Sequence, residues 1–383
     1  MTIHEIVRRA AGVVGLMALA GIAGLLSAGT VPGPVIGLAV DPLAPATLYA
    51  VADVTPVRPP TYVRSQLFGS DDGGATWHPL TTPAFDPTSP LSVIESLAVD
   101  PQVRGILYAA SSAQEIGVGF VYPGYVFKST DGGLTWTKVF DRTNEPGSIR
   151  IDPASSSTVY VGANSVATAL GIFKSVDSGA DWFDVSPPGF DACRMLGIDP
   201  VSPSVVYSGG CYVTPVYRST DGAATWKPAA TGLPAAFSLD SFAIAPSRPT
   251  TLYAGMLLGG VFRSIDSGDH WTTATAGIAN KTIFSLAVDP RFASVAYAGT
   301  PDGLFKTTSG GALWSPAGVS DVAINTIVID HSSPDTVYVG TSAGAFKSVD
   351  AGATWLPINT GLPFASIISP VPAAVTTPIV GRP

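Results

Sequence analysis

The stretch YVFKSTDGGLTWTKV, Tyr125 to Val139, packs a hydroxyl, an acid, two glycines and a tryptophan into eight positions, Ser129 to Trp136. Its pattern is hydroxyl, any, Asp, any, Gly, any, any, Trp. The pattern recurs seven times, starting at Ser70, Ser129, Ser175, Ser219, Ser264, Thr307 and Ser348. Its tryptophans are Trp77, Trp136, Trp182, Trp226, Trp271, Trp314 and Trp355, which are all the tryptophans in the chain. They lie 59, 46, 44, 45, 43 and 41 residues apart. A period in the forties marks a propeller or a solenoid.

A second motif precedes each copy. SLAVDPQVRGILYAA (Ser96 to Ala110) matches GLAVDPLAPATLYAV, SLAVDPRFASVAYAG and TIVIDHSSPDTVYVG. Each is an alternating strand, an Asp-Pro type turn and a strand ending near a tyrosine. One unit therefore reads as strand A (LAVD), strand B (TLYAG), strand C (GVFKS) and strand D starting at the tryptophan. Seven such units predict an all-β, seven-bladed β-propeller of four-stranded antiparallel blades.

These copies resemble the Asp-box, or bacterial neuraminidase repeat, over nearly all of the chain after residue 34. In that family the box is the turn between strands C and D. The physical chemistry agrees, because the third-position carboxylate can accept hydrogen bonds from turn amides. Glycine permits a positive φ, and the tryptophan is expected to cover the hairpin. The structural set is Ser70, Asp72, Gly74 and Trp77; Ser129, Asp131, Gly133 and Trp136; Ser175, Asp177, Gly179 and Trp182; Ser219, Asp221 and Trp226; Ser264, Asp266, Gly268 and Trp271; Gly311 and Trp314; Ser348, Asp350, Gly352 and Trp355. Box four has Ala223 in the glycine position, and box six has Ser309 in place of the acid. Calcium needs about six to eight oxygen ligands and several acids in one loop. Most boxes carry one acid, and the histidines are scattered at His4, His78, His270 and His331, so no metal and no cofactor is expected.

Composition narrows the partners. The net charge of −8 is spread without a basic block, which argues against nucleic acid. Residues 1–28 read as a signal peptide or an uncleaved N-terminal anchor. Arg8 and Arg9 precede the apolar run from Ala10 to Ala28. The expected protein is exported, periplasmic or extracellular, and touches a membrane only through that N-terminus. Residues 29–363 form the propeller, and 364–383 a Pro-rich tail that helps close the ring or hangs free. A monomer is expected. Cys193 precedes strand A of blade four and Cys211 follows strand B, equidistant from a turn near Ser202; a disulfide is expected.

Strand direction puts the A–B turns and the boxes on one face, and the B–C and D–A loops on the other. The box face repeats itself, which suits a scaffold. The loop face does not: its longest loops lie over blades one and two. Long loops on a rigid scaffold carry function. Binding candidates there are Arg58, Tyr62, Arg64, Phe85, Phe120, Tyr122, Arg142 and Tyr212, with Arg150 beside them. Aromatics next to arginines suit a carbohydrate or protein ligand.

Several families share the box. Sialidases also carry an Arg-Ile-Pro motif and a Tyr–Glu pair; this chain has no Arg-Ile-Pro, and only Glu95, Glu115 and Glu145 follow the N-terminal run. Xyloglucanases resemble two facing propellers, with a catalytic Asp in Leu-Tyr-Ala-x-Thr-Asp-x-Gly-Gly. LYAVADVTP puts Asp53 at the matching position, but Ala52, Thr55 and Pro56 depart from the pattern. Hydrolysis needs a second carboxyl; Asp86, Glu115 and Asp141 are nearby in the loops. Single propellers of this size are similar to photosystem II assembly factors and to sortilin-type binding domains. The missing catalytic sets favour a non-catalytic exported binding scaffold acting through the loop face of blades one to four. The alternative is a glycoside hydrolase, xyloglucanase-like before sialidase-like, with Asp53 as the candidate catalytic carboxylate.

Overall fold

The computed structural model describes residues 31–53, 65–82, 92–113, 123–144, 146–163, 171–187, 195–210, 216–234, 239–279 and 281–365. These residues form seven four-stranded antiparallel sheets, each made of strands consecutive in sequence. Blade one is Val35–Val40, Leu48–Asp53, Ser65–Ser70 and His78–Pro79. Blade two is Ser92–Val99, Leu107–Ala113, Pro123–Ser129 and Thr137–Asn144. Blades three to seven repeat this order from Pro146, Met195, Leu239, Ser285 and Ile324. The first strand of each blade touches the first strand of the next, and blade seven touches blade one, so the seven sheets make a ring. The chain is a seven-bladed β-propeller.

Strand B is buried on both sides by neighbouring blades, which explains its continuous apolar runs. Strand D starts one residue after each tryptophan, not at it. A further pair, Val31–Pro32 with Phe364–Ala365, joins the two ends of the described ring.

The boxes show why the motif has its spacing. In box one the Ser70 hydroxyl donates to Asp72 at 2.8 Å and accepts the Gly74 amide at 2.9 Å. Asp72 in turn accepts the Thr76 amide at 2.9 Å. The same triangle is built in boxes two to five and in box seven. In box six Ser309 substitutes, accepting the Leu313 amide at 3.1 Å. Ala223 keeps the turn of box four at a φ of 73°, a conformation that favours glycine. Every box also anchors to its own A–B turn: the fourth-position amide donates to a turn carbonyl at 2.8–3.0 Å. Buried Asp41, Asp100 and Asp289 hold those turns by accepting amides two residues on at 2.8 Å.

Two devices join neighbouring blades. The first is the tryptophan. It does not merely cover its own hairpin: its indole N–H donates to a carbonyl of the preceding blade, as in Trp77 to Ile358 at 2.8 Å and Trp314 to Ala274 at 2.8 Å. The second is a cationic latch that faces the following blade. A strand B tyrosine pairs with a lysine or arginine on strand C: Tyr108 with Lys128, Tyr160 with Lys174, Tyr207 with Arg218, Tyr253 with Arg263, Tyr297 with Lys306 and Tyr338 with Lys347. In five of these the cation lies 5.1–5.8 Å from the ring centroid. Lys128, Lys174, Arg218, Lys306 and Lys347 also donate to the fourth-position box carbonyl of the next blade, at 2.7–3.1 Å.

Candidate functional site

Asp53 is the last residue of strand B in blade one, so it stands at the loop face. Its amide donates to the Pro34 carbonyl at 2.9 Å, which fixes the strand end. Ser65, directly opposite on strand C, donates its hydroxyl to Asp53 Oδ1 at 3.4 Å. The same Ser65 Oγ accepts the Ile94 amide of blade two at 3.3 Å. One serine thus ties Asp53 to the innermost strand of the next blade.

The residue after Ile94 is Glu95. A register shift between Ile94 and Ser96 breaks the ladder there. Such a bulge re-aims a side chain. Ser112, near the loop-face end of strand B in blade two, donates to Glu95 Oε1 at 2.9 Å. Asp53 and Glu95, both half-buried, are thus each held by a serine, in blades one and two respectively. Glu95 appears in the sequence only as one of few glutamates. Its placement depends on the bulge, which recurs at the same point of the first strand in blades one, three, five and seven.

The other loop carboxylates divide. Asp141 lies exposed on the outer strand of blade two, where Lys138 pairs with it at 3.0 Å. Asp86 and Glu115 lie outside the described residues, as do Arg58, Tyr62, Arg64, Phe85, Phe120, Tyr122 and Tyr212, and the cysteines Cys193 and Cys211. Arg142 falls on strand D of blade two, Thr137–Asn144. Arg150 does not belong to the loop face. It sits within the innermost strand of blade three, its guanidinium on the Ile149 carbonyl at 2.9 Å, and burial lowers its pKa. Among the described residues no three His, Cys, Asp or Glu side chains gather as a metal centre requires.

The box aspartates are engaged elsewhere. Hydrogen bonds from the Thr76 and Thr135 side chains, then from their amides and from Ser70 and Ser129, hold Asp72 and Asp131 down to about 2. A carboxylate so fully occupied by its own turn is poorly placed for proton transfer.

No family model matches the chain. The chain is 29% identical over 288 residues to a xyloglucanase of a Paenibacillus species, covering 61% of this chain and 26% of that protein. It is 26% identical over 307 residues to the xyloglucanase Xgh74A of Acetivibrio thermocellus, covering 66% of this chain and 36% of that protein. The chain thus spans about a quarter to a third of these relatives. Among solved structures, the GH74 enzyme of Niastella koreensis superposes with a TM-score of 0.68 at 21% identity, over 87% of this chain and 55% of that one. YCF48 bound to D1 peptide superposes with a TM-score of 0.59 at 16% identity, over 83% of this chain and 94% of that one. At such identities the solved structures establish the fold. The sequence relatives favour the glycoside hydrolase reading over the non-catalytic scaffold expected from the missing motifs.

Proposed function

We propose that this chain is an exported glycoside hydrolase of xyloglucanase type, with its site on the loop face over blades one and two. The observation that carries this reading is the placement of Asp53. It ends strand B of blade one, at the position the xyloglucanase motif gives its catalytic Asp, and Ser65 ties it to the strand that bears Glu95. Glycoside hydrolysis needs two carboxyl groups, one to protonate the leaving oxygen and one to attack or to activate water. Asp53 and Glu95 fill those two places. The similarity to named xyloglucanases over as much as 66% of this chain supports a β-glucan substrate with side branches. The N-terminal basic pair and apolar run support export.

The test is reducing-end release from xyloglucan oligomers by the chain from Gly29 onward. Release should occur, and both Asp53→Ala and Glu95→Gln should abolish it while leaving the melting temperature near wild type. Release that survives both substitutions defeats the assignment. A thermal shift with xyloglucan and no release would instead make the chain a carbohydrate-binding scaffold. Silence in both readouts would turn the search to a protein ligand, the kind that YCF48, matched over 94% of its length, holds in its solved complex with a peptide.

A further inference from the structure

Six junctions between blades carry the cationic latch, and the junction between blades one and two does not. There the strand B tyrosine is Tyr49, and its partner on strand C is Gly69. The fourth-position carbonyl that a latch would reach belongs to Gly132. Among the described residues none donates to it, and none shares a hydrogen bond with the Tyr49 hydroxyl. His78 and Leu80 crowd the Cβ position of Gly69, at 3.0–3.3 Å, but among the described residues no cation stands over the Tyr49 ring as in five of the other six junctions. A groove of about 320 Å³ runs between the blades, lined by Tyr49, Gly69, Asp71, His78, Arg104 and Gly132.

The charges at this junction differ as well. The second position of this blade's box is Asp71, where the other six boxes have Thr130, Val176, Thr220, Ile265, Thr308 and Val349. Blade one has thus lost a cation and gained an acid at the same junction. Burial first, then Asp41 and Asp71, push the Tyr49 hydroxyl up to about 12 against the opposing charge of Arg104, and Tyr108, Tyr160 and Tyr338 at latched junctions are raised as far. Arg104 does not replace the latch. It stays at the rim, 67% exposed, 3.9 Å from Asp41 and 3.5 Å from Thr47, with no bond to Gly132.

We propose that this groove binds a primary alkylammonium group, the side chain of a lysine presented by a protein partner. The molecule supplies the template itself. Four of its six latches are lysines whose stems cover a tyrosine and whose ammonium caps a box carbonyl. A lysine entering at blade one finds the same ring in Tyr49, the same uncapped carbonyl in Gly132 and an added carboxylate in Asp71. A desolvated ammonium over a tyrosine gains cation–π energy, and the carbonyl bond is charge-assisted. This site lies on the box face, away from Asp53, and does not depend on any hydrolytic activity.

The test is an amide NMR titration of the full chain with Nα-acetyl-lysine-N-methylamide, beside the norleucine analogue that lacks only the charge. Saturable shifts at Gly132 and Gly105 are expected with the lysine compound, and binding about tenfold weaker or worse with norleucine. Gly69→Lys supplies the latch from within and should remove the response. A Cβ at Gly69 comes within 3.0–3.1 Å of Leu80 and His78, so Asp71→Asn, at an exposed position, serves as the second variant and should weaken binding several-fold. Equal responses to both compounds, or undiminished binding in both variants, would overturn the proposal. A response to cadaverine alone would overturn the choice of a peptide lysine.

Discussion

The grooves on either side of blade two have nearly the same size and opposite character. The groove toward blade three, about 340 Å³, has Lys128 in its wall, and Lys128 lies between solvent and the Tyr108 ring. The groove toward blade one, about 320 Å³, has Gly69 in that place and reaches down to Tyr49. Each is bounded by a box of the same design. One residue on strand C therefore decides whether the tyrosine and the box carbonyl are covered by a cation of the chain or line the groove themselves. Repetition makes the exception readable, because six intact copies state what the seventh lacks.

The largest effect should come from the device common to all junctions. Trp314 is buried, at 2% exposure, and spans the latched junction of blades five and six; Trp314→Ala should cost about 3–5 kcal/mol in urea unfolding. Trp136, half-buried at the unlatched junction, should cost clearly less, and equal costs would break the comparison. Next, Lys128→Ala should reproduce the blade-one gap at blade two. It loses a charged hydrogen bond to Ser178 and should destabilise by about 1–3 kcal/mol. The converse change, Gly69→Lys, should stabilise by about 0.5–1 kcal/mol if the new side chain settles over Tyr49. Contact with His78 and Leu80 works against that gain, so a loss of stability would mean that the new Cβ is refused by those two neighbours.

The smallest effect is a pH dependence shared by the boxes. Folding lowers Asp72, Asp131, Asp221 and Asp350 from the usual 3.8 to about 2. The folded protein binds these protons less readily than the unfolded chain. Their contribution is thus complete above the unfolded value and is lost as pH falls from about 4 to about 2. Denaturant midpoints measured down that range should fall, and Asp131→Asn should flatten the slope. Box six, built on Ser309, contributes nothing to it, so Ser309→Asn should leave the slope unchanged.

The repeat itself was legible because its chemistry is local. Ser129, Asp131, Gly133 and Trp136 meet within one turn, and spacing alone places them. The same reading took the box face as uniform scaffolding and sent every binding candidate to the loops. It singled out neither Asp71 nor Gly69, since nothing in a single copy says which residue faces Tyr49. Glu95 was hidden for a related reason: it sits at a bulge, and Ser65, which holds Asp53, reaches only the amide of the preceding Ile94, 29 residues away. The missing catalytic motifs were over-read as well. Motif absence argued for a scaffold, whereas similarity spread along the chain points toward the glycosidases.

The sequence by itself determined the number of blades, the order of strands and the turn chemistry, since each rests on contacts between residues a few positions apart. The tertiary structure alone decided what lies between blades. Lys128 meets Ser178 at a separation of 50 residues, and Lys347 meets Gly73 across 274. Such contacts are set by ring closure and strand register, which pack side chains from distant turns into one junction, and no local pattern encodes which carbonyl each will find.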